Sequence, residues 1–298
     1  MRTVNWSNIA PLVLLSLAGI VGTAGSAFAQ VDLTGEWRAM SNEDTPSRSN
    51  AAVGEFVGLP INDAGRLKAE SWNASLHTLP ERQCIPHPMQ YAEHGAAMSQ
   101  MRWWKQVDPA TQQVIAYQKR GAWMEPERTI WLDGRPHPPA HAPHTWQGFS
   151  TGKWEGNMLT VTTTHLKTGY IQMNGVTASD QTVIAEHFVR HGNYLTNITL
   201  ITDPVFLSEP FVRTSTWVLA TNLEFARYPC GPNEIAIEIE RPEGFVPHHL
   251  PGTNHMLMEY AEKFALPVEV TKGGAETMYP EYMEKIKNMK PPTTTSSR

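Results

Sequence analysis

Residues 149 to 165 read "FSTGKWEGNMLTVTTTH", and the pattern is that of two strands around a tight turn. Gly156 and Asn157 tolerate the positive φ that a two-residue hairpin turn demands, so strands are predicted over 148–154 and 158–165, joined through Glu155 to Asn157. The period of two then puts Leu159 and Val161 on one face, with Trp154 packing across the ladder. Thr160, Thr162 and Thr164 fall on the other. The letters "GFSTG" at 148–152 match GxSxG. They lie inside a hairpin, not on a strand-to-helix turn, so Ser150 is not assigned as a hydrolase nucleophile.

Working outward, β-branched and apolar runs recur at short intervals. Strands are predicted near 101–107, 113–119, 128–132, 182–190, 194–202, 213–219 and 235–240. Asp108-Pro109, Glu125-Pro126, Asp133-Gly134, His191-Gly192-Asn193 and Asp203-Pro204 punctuate them as turn signals. A first strand in "VDLTGEWRAM" (31–40) carries Gly35-Glu36-Trp37. Many strands joined by hairpin chemistry, without helices between them, predict a mainly β protein, an antiparallel barrel or sandwich with short peripheral helices. Those helices are expected over 63–72 with Asn62 as cap, from a Thr253 cap through Phe264, and over 281–290 behind Pro280. The barrel is expected to occupy 30–250 and the helical extension 251–290. The tail "PPTTTSSR" (291–298) is expected to be disordered.

The chain opens with a short basic n-region at Arg2, an apolar stretch over 9–21, and Ala27-Phe28-Ala29 before Gln30. This is the pattern of a signal peptide over 1–29, which predicts a periplasmic or secreted protein. The apolar run falls short of the ~20 residues a spanning helix needs, so no membrane span is expected. Without the leader 23 basic side chains remain against 29 acidic ones. So mild a negative balance argues against a nucleic-acid partner and gives no polybasic membrane patch. The two cysteines, Cys84 and Cys230, are expected to pair in an oxidising compartment, a loop closure worth ~5 kcal/mol in the chain-entropy model. Oligomeric state is not legible.

Two resemblances follow from these residues. Gly35-Glu36-Trp37 on a first strand resembles the GxW of lipocalins and related calycin barrels, in which the tryptophan closes one barrel end; this implies a lipocalin-like fold. "DGRPHP" at 133–138, "WQGFSTGKWEGNMLTVTTT" at 146–164, "EHFVR" at 186–190 and "DPVFLSEPF" at 203–211 resemble a family of exported bacterial proteins of uncharacterised function. Four motifs occur in order over the middle third of the chain. The family pattern often has a histidine shortly before its ExFxR strand, where this chain reads "NGVTASD" (174–180).

Candidate chemistry concentrates on few residues. In "TVIAEHFVR" (182–190) alternation puts Ile184, Glu186, Phe188 and Arg190 on one face, so Glu186 and Arg190 are expected as a carboxylate and a guanidinium about 7 Å apart on the barrel wall. Such a pair grips a carboxylate or phenol and exchanges a proton. His165, at the end of the threonine-rich strand, is a candidate general base. Trp131, Trp146, Trp217, Phe188 and His137 are expected to line a pocket for a flat apolar ligand. These expectations define a cofactor-independent lyase, decarboxylase or isomerase acting on a small hydrophobic or aromatic molecule. The alternative is a passive carrier of such a ligand. A second alternative is a metal enzyme using His137, His141 and His144, although the prolines between them fan imidazoles outward.

Overall fold

The computed structural model describes residues 31–40, 52–73, 75–76, 84–92, 100–122, 126–222 and 243–291. The chain divides into Met1–Asp32 and Leu33–Arg298, and the fold described here is that of the second unit. The leader, Cys230 and with it the Cys84–Cys230 pairing, the strand expected at 235–240 and the tail from 292 lie outside the described residues.

The strands are β1 (Gly35–Ala39), β2 (Gln100–Val107), β3 (Val114–Gly121), β4 (Glu127–Trp131), β5 (Phe149–Glu155), β6 (Met158–Thr164), β7 (Gly169–Tyr170), β8 (Thr177–Ala178), β9 (Val183–His191), β10 (Tyr194–Thr202) and β11 (Phe211–Leu219). Nine of them close a barrel in the order β1-β11-β10-β9-β6-β5-β4-β3-β2, with β2 returning to β1, while β7 and β8 form a separate ribbon. The fold is therefore mainly β and consistent with a lipocalin-like barrel. The quoted hairpin pairs as its alternation predicts, with Trp154 opposite Leu159 and Gly152 opposite Val161.

One pairing departs from the expected all-antiparallel ladder. β4 and β5 run parallel, joined through only Ile130↔Ser150 and Trp131↔Thr151. The segment 132–148, with its four prolines, leaves the end of β4 and comes back beside it. β5 therefore starts level with the end of β4 and continues in the same direction, which a hairpin turn cannot achieve.

Inside, two apolar regions flank a polar layer. Trp37, Trp103, Trp217 and Phe188 are fully buried, and Trp103 meets Phe188 edge-on at 4.9 Å. Gly35 and Trp37 pair with Trp103 and Met101 across β1 and β2, so the GxW tryptophan is part of this aromatic cluster. The second region joins Phe56, Met89, Ile184, Ile201, Phe211 and Leu257. Burying each such side chain contributes ~2 kcal/mol.

Short helices pack around the strands: α1 (Asp63–Glu70), α2 (Met89–Ala92), α3 (Met256–Phe264), α4 (Val268–Thr271) and α5 (Pro280–Ile286). α1 begins as predicted, the Asn62 side chain accepting from the Gly65 amide at 3.0 Å. α3 starts later than expected: its N-cap position is His255, because Thr253 turns its hydroxyl back onto the Leu250 carbonyl and Asn254 accepts from the Met256 amide. α5 stops at Ile286, short of the expected 290. No helix among the described residues is long and apolar enough to cross a membrane.

Candidate functional site

The polar layer is built by inward-facing positions of five strands. Period-two alternation sends Arg128 inward from β4, Ser150 from β5, Thr163 from β6, Glu186 from β9, and Asn197 and Thr199 from β10, and all six are at most 5% exposed. The Glu186 carboxylate meets Arg128 through both nitrogens, Nη1 to Oε2 at 2.8 Å and Nη2 to Oε1 at 3.0 Å. Asn197 Nδ2 donates to the same Oε1 at 3.0 Å. Ser150 and Thr163 hydroxyls bond each other at 2.8 Å, with Arg128 Nη1 at 3.4 and 3.3 Å from them. Asn197 Oδ1 and Thr199 Oγ1 are buried with no hydrogen-bond partner.

Register carries the layer round the barrel wall. Glu186 pairs with Thr199, and Thr199 with Arg213 on β11. Arg213 is buried and donates from Nη2 to the Gln90 carbonyl on α2 at 2.8 Å. Next to it lies a cluster that the sequence did not announce. His87 Nδ1 and the Tyr170 hydroxyl are 2.7 Å apart, and the Tyr91 ring lies 4.8 Å from His87 and 5.1 Å from Tyr170. Burial pushes both phenols up; Arg213 partly offsets this at Tyr91, and Tyr91 reinforces it at Tyr170. Both phenols therefore stay protonated above the ordinary tyrosine value. The three groups come from two parts of the chain, 87–91 and 170, with His87 and Tyr170 83 positions apart, joined only by folding.

Glu186, Phe188 and Trp217 thus face the interior, as expected. Lys119 joins them, with Nζ 5.3 to 5.8 Å from the Phe188, Trp103 and Trp217 rings. Arg190 is placed elsewhere, its guanidinium 5.2 Å over the Trp37 ring and its Nε donating to the Gly192 carbonyl. The spacing expected for it was too short: positions i and i+4 on a strand are ~13 Å apart, not 7. Arg128 takes the expected place beside Glu186, and only barrel closure brings β4 and β9 within reach.

His137 and His165 belong to a different place, the outer face of β5 and β6. The DGRPHP loop folds onto the hairpin, where His137 bonds Thr164 Oγ1 at 2.7 Å and Thr151 Oγ1 at 2.8 Å. Thr164 also meets His165 Nδ1 at 2.8 Å, and His165 Nε2 lies 3.0 Å from the Pro139 carbonyl. That carbonyl only accepts, so His165 carries its proton on Nε2 and accepts from Thr164. Thr164 then accepts from His137 Nδ1, which leaves His137 Nε2 to accept from Thr151. Burial, with His165 nearby, holds the His137 pKa below the ordinary histidine value.

The histidines of the metal alternative are not gathered into one group among the described residues. Both ring nitrogens of His137 are engaged by threonine hydroxyls, His144 Nδ1 donates to the Leu166 carbonyl at 2.8 Å, and no metal-ligating cluster occurs among the described residues. Trp131 also faces outward, stacked under the Arg135 guanidinium at 3.4 Å, and Trp146 carries Lys167 at 5.2 Å. Neither joins Trp217 and Phe188. Ser150 sits on a strand inside the barrel.

Comparison with protein-family models, curated proteins and solved structures found no match to this chain.

Proposed function

We propose that this protein is an exported, cofactor-independent acid–base enzyme of the lyase, decarboxylase or isomerase type, acting on a small hydrophobic or aromatic molecule inside the barrel. The observation that carries the reading is the buried Arg128–Glu186 pair. A buried ion pair adds little to stability compared with apolar residues of the same volume, so its presence in a core calls for another role. Arg128 and Asn197 hold Glu186 as an oriented carboxylate, the state a general base needs before it takes a proton. Tyr170, hydrogen-bonded to His87, is assigned as the matching donor.

The leader expected over 1–29 and the pairing expected of Cys84 with Cys230 are what support export to the periplasm or beyond. The carrier reading draws on the same aromatic cluster but gives Glu186 no task. The two part in one experiment. Ligands captured from exported metabolites are identified by mass spectrometry and incubated with wild type and Glu186→Gln. The enzymatic reading expects at least a ~100-fold loss of turnover with affinity within a few-fold. Unchanged turnover in the variant, or binding without any conversion by wild type, would sink it.

A further inference from the structure

We infer that the interior site is built for a neutral aromatic compound carrying a free hydroxyl, which donates hydrogen bonds to Thr199, Asn197 and Gln90. The inference rests on the barrel interior being the site proposed above, and names its substrate class.

Its basis is a set of acceptors without donors. Asn197 Oδ1, Thr199 Oγ1 and Gln90 Oε1 have no hydrogen-bond partner, and their residues are 0%, 1% and 0% exposed. A buried polar atom left unpaired costs about 1–3 kcal/mol, so each of these is a standing deficit that a ligand donor would relieve. Asn197 and Thr199 are neighbours, two residues apart on the same inward face of β10; Gln90 is tied to them through its backbone carbonyl, held by Arg213, the register partner of Thr199, and its side chain bonds the Lys167 carbonyl through Nε2.

Charge excludes most other donors. Among the described residues Lys119, Arg128 and Arg213 face the interior against the single carboxylate of Glu186, so an ammonium ligand meets net repulsion. A carboxylate suits those cations but offers no donor to Asn197 Oδ1, which only accepts. A neutral O–H satisfies both conditions, and its ionised form is the one these cations stabilise as a proton moves to Glu186. The aromatic class follows from register, because Asn197 lies directly between Phe188 and Ser215, and Trp217 is on the same face as Ser215.

The test compares phenol and catechol with their methyl ethers, anisole and 1,2-dimethoxybenzene, by calorimetric titration of the mature chain. The ethers keep ring and shape but cannot donate. Catechol is expected to bind at least about tenfold more tightly than its dimethyl ether, as one or two lost hydrogen bonds imply. Thr199→Val and Gln90→Met should each shrink that ratio several-fold, and Thr199→Ser should restore it. Thr199→Ser and Gln90→Met guard against a misfolded Thr199→Val. Equal affinities for catechol and its ether, no saturable catechol binding, or a ratio untouched by both substitutions overturns the inference. Hydroxyl-selective binding without turnover retires the enzymatic reading and leaves this one standing. Turnover of a substrate without O–H or N–H groups does the reverse.

Discussion

Arg128 on β4 and Glu186 on β9 meet inside the barrel through two contacts of 2.8 and 3.0 Å, although 58 residues separate them in the chain. Neither strand is the other's neighbour in the sheet, since β5 and β6 lie between them. The pair is thus a cross-barrel contact, made by side chains that reach over the interior.

Removing one partner tests how deeply the pair is embedded. Arg128→Met leaves Glu186 buried without its guanidinium and should destabilise the protein by about 3–5 kcal/mol in urea unfolding, whereas Arg128→Met with Glu186→Leu should recover most of that loss. A double variant no more stable than the single one would show that the cost lies in packing and not in an uncompensated charge.

Tyr170→Phe removes the proposed donor and keeps the ring that packs on Tyr91. A loss of about 100-fold in kcat with KM little changed is expected, and the melting temperature should stay within a few degrees. Wild-type kcat in this variant assigns the proton to another group.

Asp203 anchors the turn that follows β10. Its Oδ1 accepts from the Val205 and Phe206 amides at 2.8 and 2.9 Å, and Oδ2 from Thr182 Oγ1 at 2.7 Å and from the Ser179 amide. Burial pushes its pKa up, but these hydrogen bonds together outweigh burial and hold it below the ordinary value. A depressed carboxyl contributes stability above the unfolded-state pKa, near 4, and loses it as pH falls through the folded value. Asp203→Asn should cost about 2 kcal/mol at pH 7, and the gap to wild type should narrow in melts taken near pH 3.

His137 works in the opposite direction on the pH scale from an ion-paired histidine. Its pKa is lowered on folding, so the unfolded chain takes up a proton first. The contribution of the neutral ring is present above about pH 6.5 and lost as pH falls below it. The melting temperature should drop between pH 7.5 and 5, and His137→Gln should flatten that drop while lowering stability at pH 7.5. An identical slope in the variant would falsify the assignment to this ring.

The stretches 133–138, 146–164, 186–190 and 203–211 gain a spatial meaning from these contacts. His137 of the DGRPHP loop is bonded to Thr151 and Thr164 of the hairpin motif, and Asp203 of the DP turn holds Thr182 just ahead of β9. Glu186 of ExFxR points inward and Arg190 closes over Trp37. Motifs that are separate in the chain pack as neighbours.

Strand positions and facing were legible in advance because both follow from local rules. Alternation in "MLTVTTT" and "IAEHFVR" sets which side chains share a face, and Gly156-Asn157 or His191-Gly192-Asn193 sets where the chain turns, whatever lies across the sheet. The aromatic set was legible only in part: Phe188 and Trp217 face inward, whereas Trp131 and Trp146, expected beside them, lie with Arg135 and Lys167 instead. Partners were not legible, because they depend on closure. Which inward guanidinium meets Glu186 is decided by the barrel's stagger and by the parallel β4·β5 seam, and no pattern within "ERTIW" announces that Arg128 will be the one. The His87–Tyr170 contact belongs to the same class, joining a loop to a two-residue strand. Local periodicity specifies direction at each residue; only the closed barrel specifies distance between residues far apart in the chain.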